Sequence, residues 1–497
     1  MRRTWTDAGF VYLVLLLPVL AIASALAWSS EIERPLIFGL LAVLAPSPLV
    51  VRAIQGRFDP FEPVTFIALG ATVLFVFRPL AQMLSGETQY RGFAIDPTFD
   101  RALLVCLVGV VCLYAGYAFP ATARWGRRLK PLRDDWSPTR AARFAVCLVL
   151  TGLLLYGAFL ASAGGLAAAK TFLLGRSSNQ GQVVATASAY LYLGPFLAIP
   201  ATLLFMESAA RGRRRTFFIA GALAGLLVVI ITGPRGDRIW LLTLLASVVV
   251  LPYLRARRRP GTLRSALAVL TIFIVGVTFL RDVRTTEDRT QSPAGLLLQT
   301  VREPGQAIQD FMLRSDTEMF AVLSAEVGEI PKFKPFAPGI TISSLLAAPV
   351  PGSLWPDKPQ SPDIQLYSYL FPAQANVTRA GTAPSYFGGL WLDSGFVGIA
   401  IGTILFGMAA RILYEYLRAN PRNASVRLVY AASLPLTIIL LRGNLTDTMP
   451  RALYLVGPIL LCIRVASPKK SQRSASPTNS ATAHSPKGPV SSNETIT

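Results

Sequence analysis

The sequence has one histidine and four cysteines among 497 residues. The histidine, His484, lies in a polar stretch near the end of the chain, so we expect no ordered imidazole to act as a general base or metal ligand. This excludes Ser–His–Asp catalysis and His-rich zinc sites. The cysteines lie within or at the end of apolar runs without metal-ligand spacing, and we expect them to behave as small hydrophobic residues. They are Cys106, Cys112, Cys147 and Cys462.

Charged residues are also scarce. They make up 15% of the chain, while hydrophobic residues make up 52%. A typical soluble domain is about 25% charged. A water-soluble protein of this length would need more charged surface. The composition therefore predicts an all-α polytopic integral membrane protein with about 12 transmembrane helices.

There are twelve apolar runs, as this prediction requires. Each is long enough to cross a membrane, although the short run at residues 428–441 would have to extend or tilt. The first run follows two arginines and has no clear cleavage site, so we expect an uncleaved signal anchor. The runs are residues 9–28, 35–51, 64–84, 102–119, 144–162, 186–206, 216–232, 239–254, 265–280, 388–413, 428–441 and 452–465.

The net charge of +21 comes from 48 basic and 27 acidic residues. In a soluble protein this excess would suggest nucleic-acid binding. Here the arginines concentrate in alternate connections between apolar runs, such as residues 124–143, 211–215 and 255–259, as the positive-inside rule requires. The pattern predicts that both termini are cytoplasmic and favours the cytoplasmic membrane of a bacterium.

The expected domain organisation has four parts. Residues 1–280 form a bundle of nine membrane helices, residues 281–387 an extracytoplasmic cap, residues 388–466 three further helices, and residues 467–497 a disordered cytoplasmic tail. The cap is too apolar to be a flexible linker. Its large apolar side chains are expected to need burial: Phe311, Met312, Phe320, Leu345, Leu346, Trp355 and Tyr367.

A short hairpin, Gly233–Arg238, places Arg235 and Arg238 on the outer side, against the charge rule. Glycine and proline could simply form the turn, with Asp237 neutralising one arginine. Alternatively, two guanidinium groups and glycine N–H groups would suit a pyrophosphate. We favour the anion site, because two outward arginines in six residues need a reason.

Further candidates lie in or beside the outer connections. Asp316 and Glu326 lie in helix-like stretches, and either carboxylate could face a cleft or be solvated surface. Arg281 and Arg284 could bind an anion or extend to the lipid headgroups, while Trp355 could stack on a sugar or lie at the lipid interface. The remaining candidate substrate-binding residues are Lys358, Arg379, Tyr386, Arg442 and Arg451.

The arginine hairpin, the large late loop and the segment Leu354-Trp355-Pro356-Asp357-Lys358-Pro359 resemble bacterial oligosaccharide repeat-unit polymerases, the Wzy-type O-antigen and capsule polymerases. The later Gly381, Ser385, Asp393, Gly395 and Gly398 fit the same pattern. The resemblance covers roughly residues 216–413, with Trp-Pro-x-Lys-Pro its most specific part. It implies a GT-C-like membrane fold. It also implies transfer of a glycan from undecaprenyl pyrophosphate onto the next lipid-linked repeat unit, at the outer face of the membrane.

In the mechanism that follows from this resemblance, Arg235 and Arg238 neutralise the leaving pyrophosphate, together with Arg442 or Arg451. Asp316 or Glu326 acts as the general base, and Trp355 and Tyr386 pack against sugars. No cofactor or metal is expected, and a chain-length regulator is a candidate partner. A flippase for the same lipid-linked oligosaccharide, an O-antigen ligase-like transferase, a transporter and a non-catalytic scaffold remain alternatives. The related ligases use an outer-loop histidine that this sequence lacks.

Overall fold

The computed structural model describes residues 34–162, 165, 189–232, 238–256, 302, 317–347, 350, 355, 357–372 and 384–468. Nearly all of the regular structure in these residues is helical, apart from one hairpin of two short strands, β1 (Gln89–Tyr90) and β2 (Phe93–Ala94), which pair antiparallel. The helices are α1 (Arg34–Leu44), α2 (Ser47–Ile54), α3 (Pro63–Ser85), α4 (Phe99–Ala118), α5 (Pro120–Arg128), α6 (Pro138–Ser162), α7 (Ala198–Gly212), α8 (Arg215–Thr232), α9 (Arg238–Ala256), α10 (Met319–Glu329), α11 (Ile340–Ala347), α12 (Pro362–Leu370), α13 (Ser385–Ala419), α14 (Ala424–Ser433), α15 (Leu436–Arg442) and α16 (Leu445–Ala466).

The chain is an all-α polytopic membrane protein. Within the described residues, eight helical segments are long and apolar enough to cross a membrane, and α1 with α2, bent by 43°, would make a ninth. The predicted runs 9–28 and 265–280 lie outside the described residues. The run 186–206 becomes a four-residue helix (Ala189–Tyr192), a 3₁₀ turn (Gly194–Leu197) and then α7.

The centre of the bundle is a parallel pair of helices, α4 and α13. Both run in the same direction, because Gly109 faces Phe387, Gly116 faces Ile404 and Gly126 in α5 faces Ile412. Glycine permits the close approach: a Cβ atom at Gly116 would overlap the carbonyl group of Ile404. Nearly all of α4 is buried, because other helices surround it on every side.

Helix α13 is 35 residues long, about 52 Å at the rise of an α-helix and well beyond the roughly 30 Å of a hydrocarbon core. It is kinked where Ser394 and Gly395 leave helical geometry, and Gly395 has φ of 59°. The ring of Phe336 packs against Gly395, where a Cβ atom would lie 2.9 Å from the ring. The kink therefore divides α13 into a segment beside α10 and a membrane-crossing segment.

One end of the bundle carries a buried network of ion pairs, and we call it the basic end. Glu62 pairs with Arg52 at 2.6 Å and with Arg411 at 3.5 Å. Arg411 also pairs with Glu415 at 2.6 Å, and Arg127 donates to Glu415 at 2.8 Å. These contacts gather the arginine-rich connections predicted to be cytoplasmic. Glu62 and Glu415 therefore each have at least two cationic partners.

The opposite end, which we call the α10 end, holds the described part of the large connection 281–387. Helix α10 lies within the same hydrophobic core as α4 and α13, so this part of the predicted cap belongs to the bundle. The expected burial is correct for Phe320 and Tyr367. It is wrong for Leu346 and Trp355, which are 74% and 44% exposed. The boundary predicted at residue 388 falls inside α13, three residues after its start.

Substituting Gly407 tests the close packing of α4 on α13. A Cβ atom at residue 407 would overlap the Leu113 carbonyl, so Gly407→Ala should separate the helices and destabilise the protein by about 1–3 kcal/mol. Gly157→Ala in α6 is the matched control, because nothing lies within 4 Å of its new methyl group. The thermal midpoint in detergent should fall for Gly407→Ala and stay level or rise for Gly157→Ala. Equal midpoints would contradict the close contact.

Candidate functional site

Glu326, near the end of α10, is the most unusual polar residue at the α10 end. Its side chain is fully buried, and neither carboxylate oxygen has a hydrogen-bond partner among the residues that the structure describes. A Cβ atom at Gly388 would lie 2.5 Å from Glu326 Oε2, so the glycine leaves room for the carboxylate. Buried carboxylates are normally paired, because desolvation of an unpaired charge is costly.

The environment of Glu326 favours its protonated form. Burial raises the pKa of its carboxyl well above the ordinary value of 4.5, and the positive charge of Lys334 opposes this shift only in part. Burial also lowers the pKa of Lys334, while the negative charge of Glu326 raises it. Strongly raised carboxyl pKa values of this kind are frequent at functional sites, where a carboxyl group accepts or releases a proton.

Several contacts hold α10 in position. At its start, Glu318 accepts hydrogen bonds from the hydroxyl of Tyr90 at 2.7 Å and from Arg91 at 3.1 Å. In its middle, the hydroxyl of Thr98 donates to the carbonyl oxygen of Ser324 at 2.7 Å. Just after its end, Trp391 in α13 donates to the carbonyl oxygen of Ile330 at 3.2 Å. The Glu326 carboxylate is thus carried by a helix fastened along its whole length.

A second buried polar group lies on α3, after a π-helical turn at Val73–Phe77. The Gln82 side chain is buried, and its amide nitrogen and oxygen both lack a partner within the described part of the chain. One turn earlier, the buried Arg78 pairs with Glu87 at 3.0 Å. Arg78 also interacts electrostatically with Glu318, just before the start of α10. π-Helical turns of this kind are frequent at functional sites.

The connection between α15 and α16 meets the large connection at the same end. Asn444 donates to Asp363, in the first turn of α12, at 3.2 Å. Burial raises the pKa of Asp363, and the nearby charge of Asp447 raises it further. Asp447 pairs with Arg451, and the Arg451 guanidinium lies 5.7 Å from the ring centroid of Trp240, near the start of α9. The structure therefore brings Arg451 to the helix that begins at Arg238.

The other predicted site residues within the described chain have varied surroundings. Lys358 donates to the carbonyl oxygen of Val350 at 2.8 Å, so its ammonium group already has a partner. Tyr386 is buried within the bundle, and its hydroxyl donates to the carbonyl oxygen of Gly402 at 2.9 Å. Its ring is therefore a core residue and is not presented at the surface. Arg442, the last residue of α15, is half-buried and pairs with no carboxylate in the described ranges.

Several of the predicted residues cannot be placed. Arg235, Arg281, Arg284, Asp316 and Arg379 lie outside the described residues. Along the chain, the predicted hairpin falls between the end of α8 at Thr232 and the start of α9 at Arg238.

Three residues at the α10 end were not among the predicted site residues. They are Gln82, Arg101 and Lys334. Arg101 lies in the first turn of α4, with its guanidinium 5.4 Å from the ring centroid of Trp391. The signal for Gln82 and Arg101 was present in the sequence, because polar residues in or beside apolar runs are commonly functional. Nothing in the spacing linked Lys334 to Glu326. Among the described residues, no three His, Cys, Asp or Glu side chains converge as metal ligands.

The raised pKa of Glu326 predicts a pH-dependent stability. Above pH 4.5 the unfolded chain releases this proton while the folded protein keeps it, so stability falls as pH rises until the folded pKa is reached. The slope contributed by this group is at most about 1.4 kcal/mol per pH unit. Thermal midpoints measured from pH 4.5 upward should therefore decline less for Glu326→Gln than for wild type.

Glu329→Gln is the control for this measurement, because Glu329 lies on the same helix and is hydrogen-bonded to Tyr369 at 3.0 Å. This variant should keep the wild-type slope. The same slope in wild type and Glu326→Gln would mean that the carboxyl is solvated or paired.

No protein-family model, curated protein or solved structure matches this chain. The resemblance to repeat-unit polymerases therefore stays a prediction. The buried, unpartnered carboxyl group of Glu326 is the main indication of function within the described residues.

Proposed function

We propose that this protein is a membrane glycosyltransferase that polymerises lipid-linked oligosaccharide repeat units into a surface polysaccharide. The observation that carries the proposal is Glu326, a fully buried carboxyl group without a partner in the described chain. Glu326 lies at the α10 end, where the predicted outer arginines, Arg235, Arg238, Arg442 and Arg451, are also expected. A raised pKa makes the ionised form of a carboxyl a stronger base, and burial keeps bulk water away from it.

The proposed reaction is a displacement at the anomeric carbon of the donor glycan. In its ionised form, Glu326 accepts the proton of the acceptor hydroxyl, and the freed oxygen forms the new bond to the anomeric carbon. The bond from this carbon to the undecaprenyl pyrophosphate breaks, and the pyrophosphate leaves with the electron pair. Arg235, Arg238 and Arg442 or Arg451 would neutralise the leaving group, since guanidinium forks match phosphate oxygens. Asp316 is the alternative base.

The orientation of the protein is part of the proposal. The basic end gathers the arginine-rich connections, which the positive-inside rule assigns to the cytoplasm. The α10 end then faces outward, where repeat units arrive after crossing a bacterial cytoplasmic membrane. The predicted spans at 9–28 and 265–280 would bring the nine described candidates to eleven, and the run 186–206 would be the twelfth in a GT-C-like arrangement.

A glycan ladder tests this function. Deleting the gene should remove long polysaccharide chains while single repeat units still reach the cell surface. Wild-type protein should restore the ladder. Glu326→Gln should lower the polymerisation rate by about 10²–10⁴-fold, as expected for loss of a general base.

The control for this experiment is again Glu329→Gln, which should restore the ladder in full. Both variants must reach the membrane in equal amount. Repeat units trapped on the cytoplasmic side after deletion would indicate a flippase. An unchanged ladder in the deletion strain, or full activity of Glu326→Gln, would contradict the proposal.

Adjacent glycines offer a test of how the carboxylate is positioned. Gly388→Ala should displace Glu326, because the new methyl group would crowd Oε2 at 2.5 Å. Gly389→Ala places its methyl 3.4 Å from Asn444, an ordinary contact. We expect the polymerisation rate to fall strongly for Gly388→Ala and to change little for Gly389→Ala. Equal rates at equal membrane levels would argue against a role for the Glu326 position.

A further inference from the structure

Helix α11 turns two polar side chains inward and two large apolar side chains outward, while Ser343 is also exposed and Ala347 is buried. Thr341 and Ser344 are buried, whereas Ile342 is 63% and Leu346 74% exposed. A surface helix in water shows the opposite arrangement, with apolar residues turned to the core. Exposing two large aliphatic side chains to water on one short helix would forfeit the burial energy that normally orders such a helix. An apolar environment around this face would restore that energy.

The helices on which α11 packs continue the same apolar surface. α11 contacts both α13 and α16, two segments long and apolar enough to cross a membrane. Val397, Ile401 and Leu405 form an exposed stripe on α13, one turn apart. Exposed aliphatic side chains on α16 include Leu453 and Leu461. On membrane-crossing helices such stripes face lipid, and α11 packs on both of these helices.

The inner face of α11 is held by the kink of α13. Asp393 Oδ1 accepts a hydrogen bond from the backbone N–H of Thr341 at 3.2 Å, which caps the first turn of α11. Just before α11, the N–H of Ala337 donates to the carbonyl oxygen of Leu392 at 2.9 Å. The helix is thus fastened to the bundle by its polar side. Its apolar side is left without a protein partner in the described part of the chain.

We propose that α11 is embedded in the bilayer, with Ile342 and Leu346 in contact with the acyl chains of membrane lipids. Eight residues of helix span about 12 Å, so α11 enters one leaflet and does not cross. Trp355, which follows α11 in the chain, is half-exposed, as suits an interfacial aromatic residue. This surface is independent of the proposed transferase activity.

Fluorescence quenching in reconstituted vesicles tests the proposal. The exposed Cys147 is first replaced by serine, since Cys106, Cys112 and Cys462 are buried. Single cysteines are then introduced as Leu346→Cys, Leu453→Cys and Gln360→Cys and labelled with the environment-sensitive dye NBD. Leu453 is the lipid-facing reference, and Gln360, exposed before α12, is the aqueous reference. All three positions are on the surface, so the substitutions should not disturb folding.

The label at residue 346 should behave like the one at 453. Phosphatidylcholine carrying a doxyl group on its acyl chain should quench both, and aqueous iodide should quench neither. The label at 360 should show the reverse. Quenching at 346 by iodide alone would place α11 in water and overturn the proposal. Protection of 346 from both quenchers would overturn it too, because another segment of this chain or a second copy would then cover the face. Ile342→Cys repeats the test on the same face.

Discussion

The cost of burying charge in an apolar interior governs this structure. At the basic end, Glu62, Glu207 and Glu415 are all buried, and each is paired with at least two arginines. Breaking such a pair leaves an uncompensated charge, which typically costs about 3–5 kcal/mol. Glu326 is the exception at the opposite end, because it is equally buried and has no partner within the described residues. Burial raises the pKa of this carboxyl, and the shift makes Glu326 chemically distinct from the paired carboxylates.

Close helix packing explains how such a group can be held. The glycines of α4 and α13 bring two parallel helices together, and α10 packs on both. In a membrane protein this association depends on van der Waals contact and hydrogen bonds, because lipid is as apolar as the helix surface. Gly388 also permits a close approach, because the absence of a side chain there leaves room for the Glu326 carboxylate. The first turn of α13 therefore both packs against α10 and leaves room for the Glu326 carboxylate.

The sequence predicted the class of fold well and the site only in part. Runs of apolar residues and clusters of arginine are local properties, so spans such as Pro63–Ser85 and Arg215–Thr232 could be located from composition alone. Glu326 was one of several equivalent acids in the large connection, and nothing local marked it.

Tyr386 and Leu346 show that the sequence pattern does not predict the burial of a single side chain. A tyrosine expected to meet sugar lies in the core, and a leucine expected in the core is exposed, because their surroundings come from distant segments.

The sequence by itself determined that this chain is an all-α membrane protein, because low charge and long apolar runs leave few other stable folds. It also determined which connections carry the arginines. Only the tertiary structure decided which carboxylates are paired. Arg411 reaches Glu62 across 349 positions of sequence, whereas no described cation pairs directly with Glu326. The tertiary structure also decided that α11 turns its apolar side outward. Burial and pairing depend on what packs against a residue, and in this bundle that neighbour is usually far away in the chain.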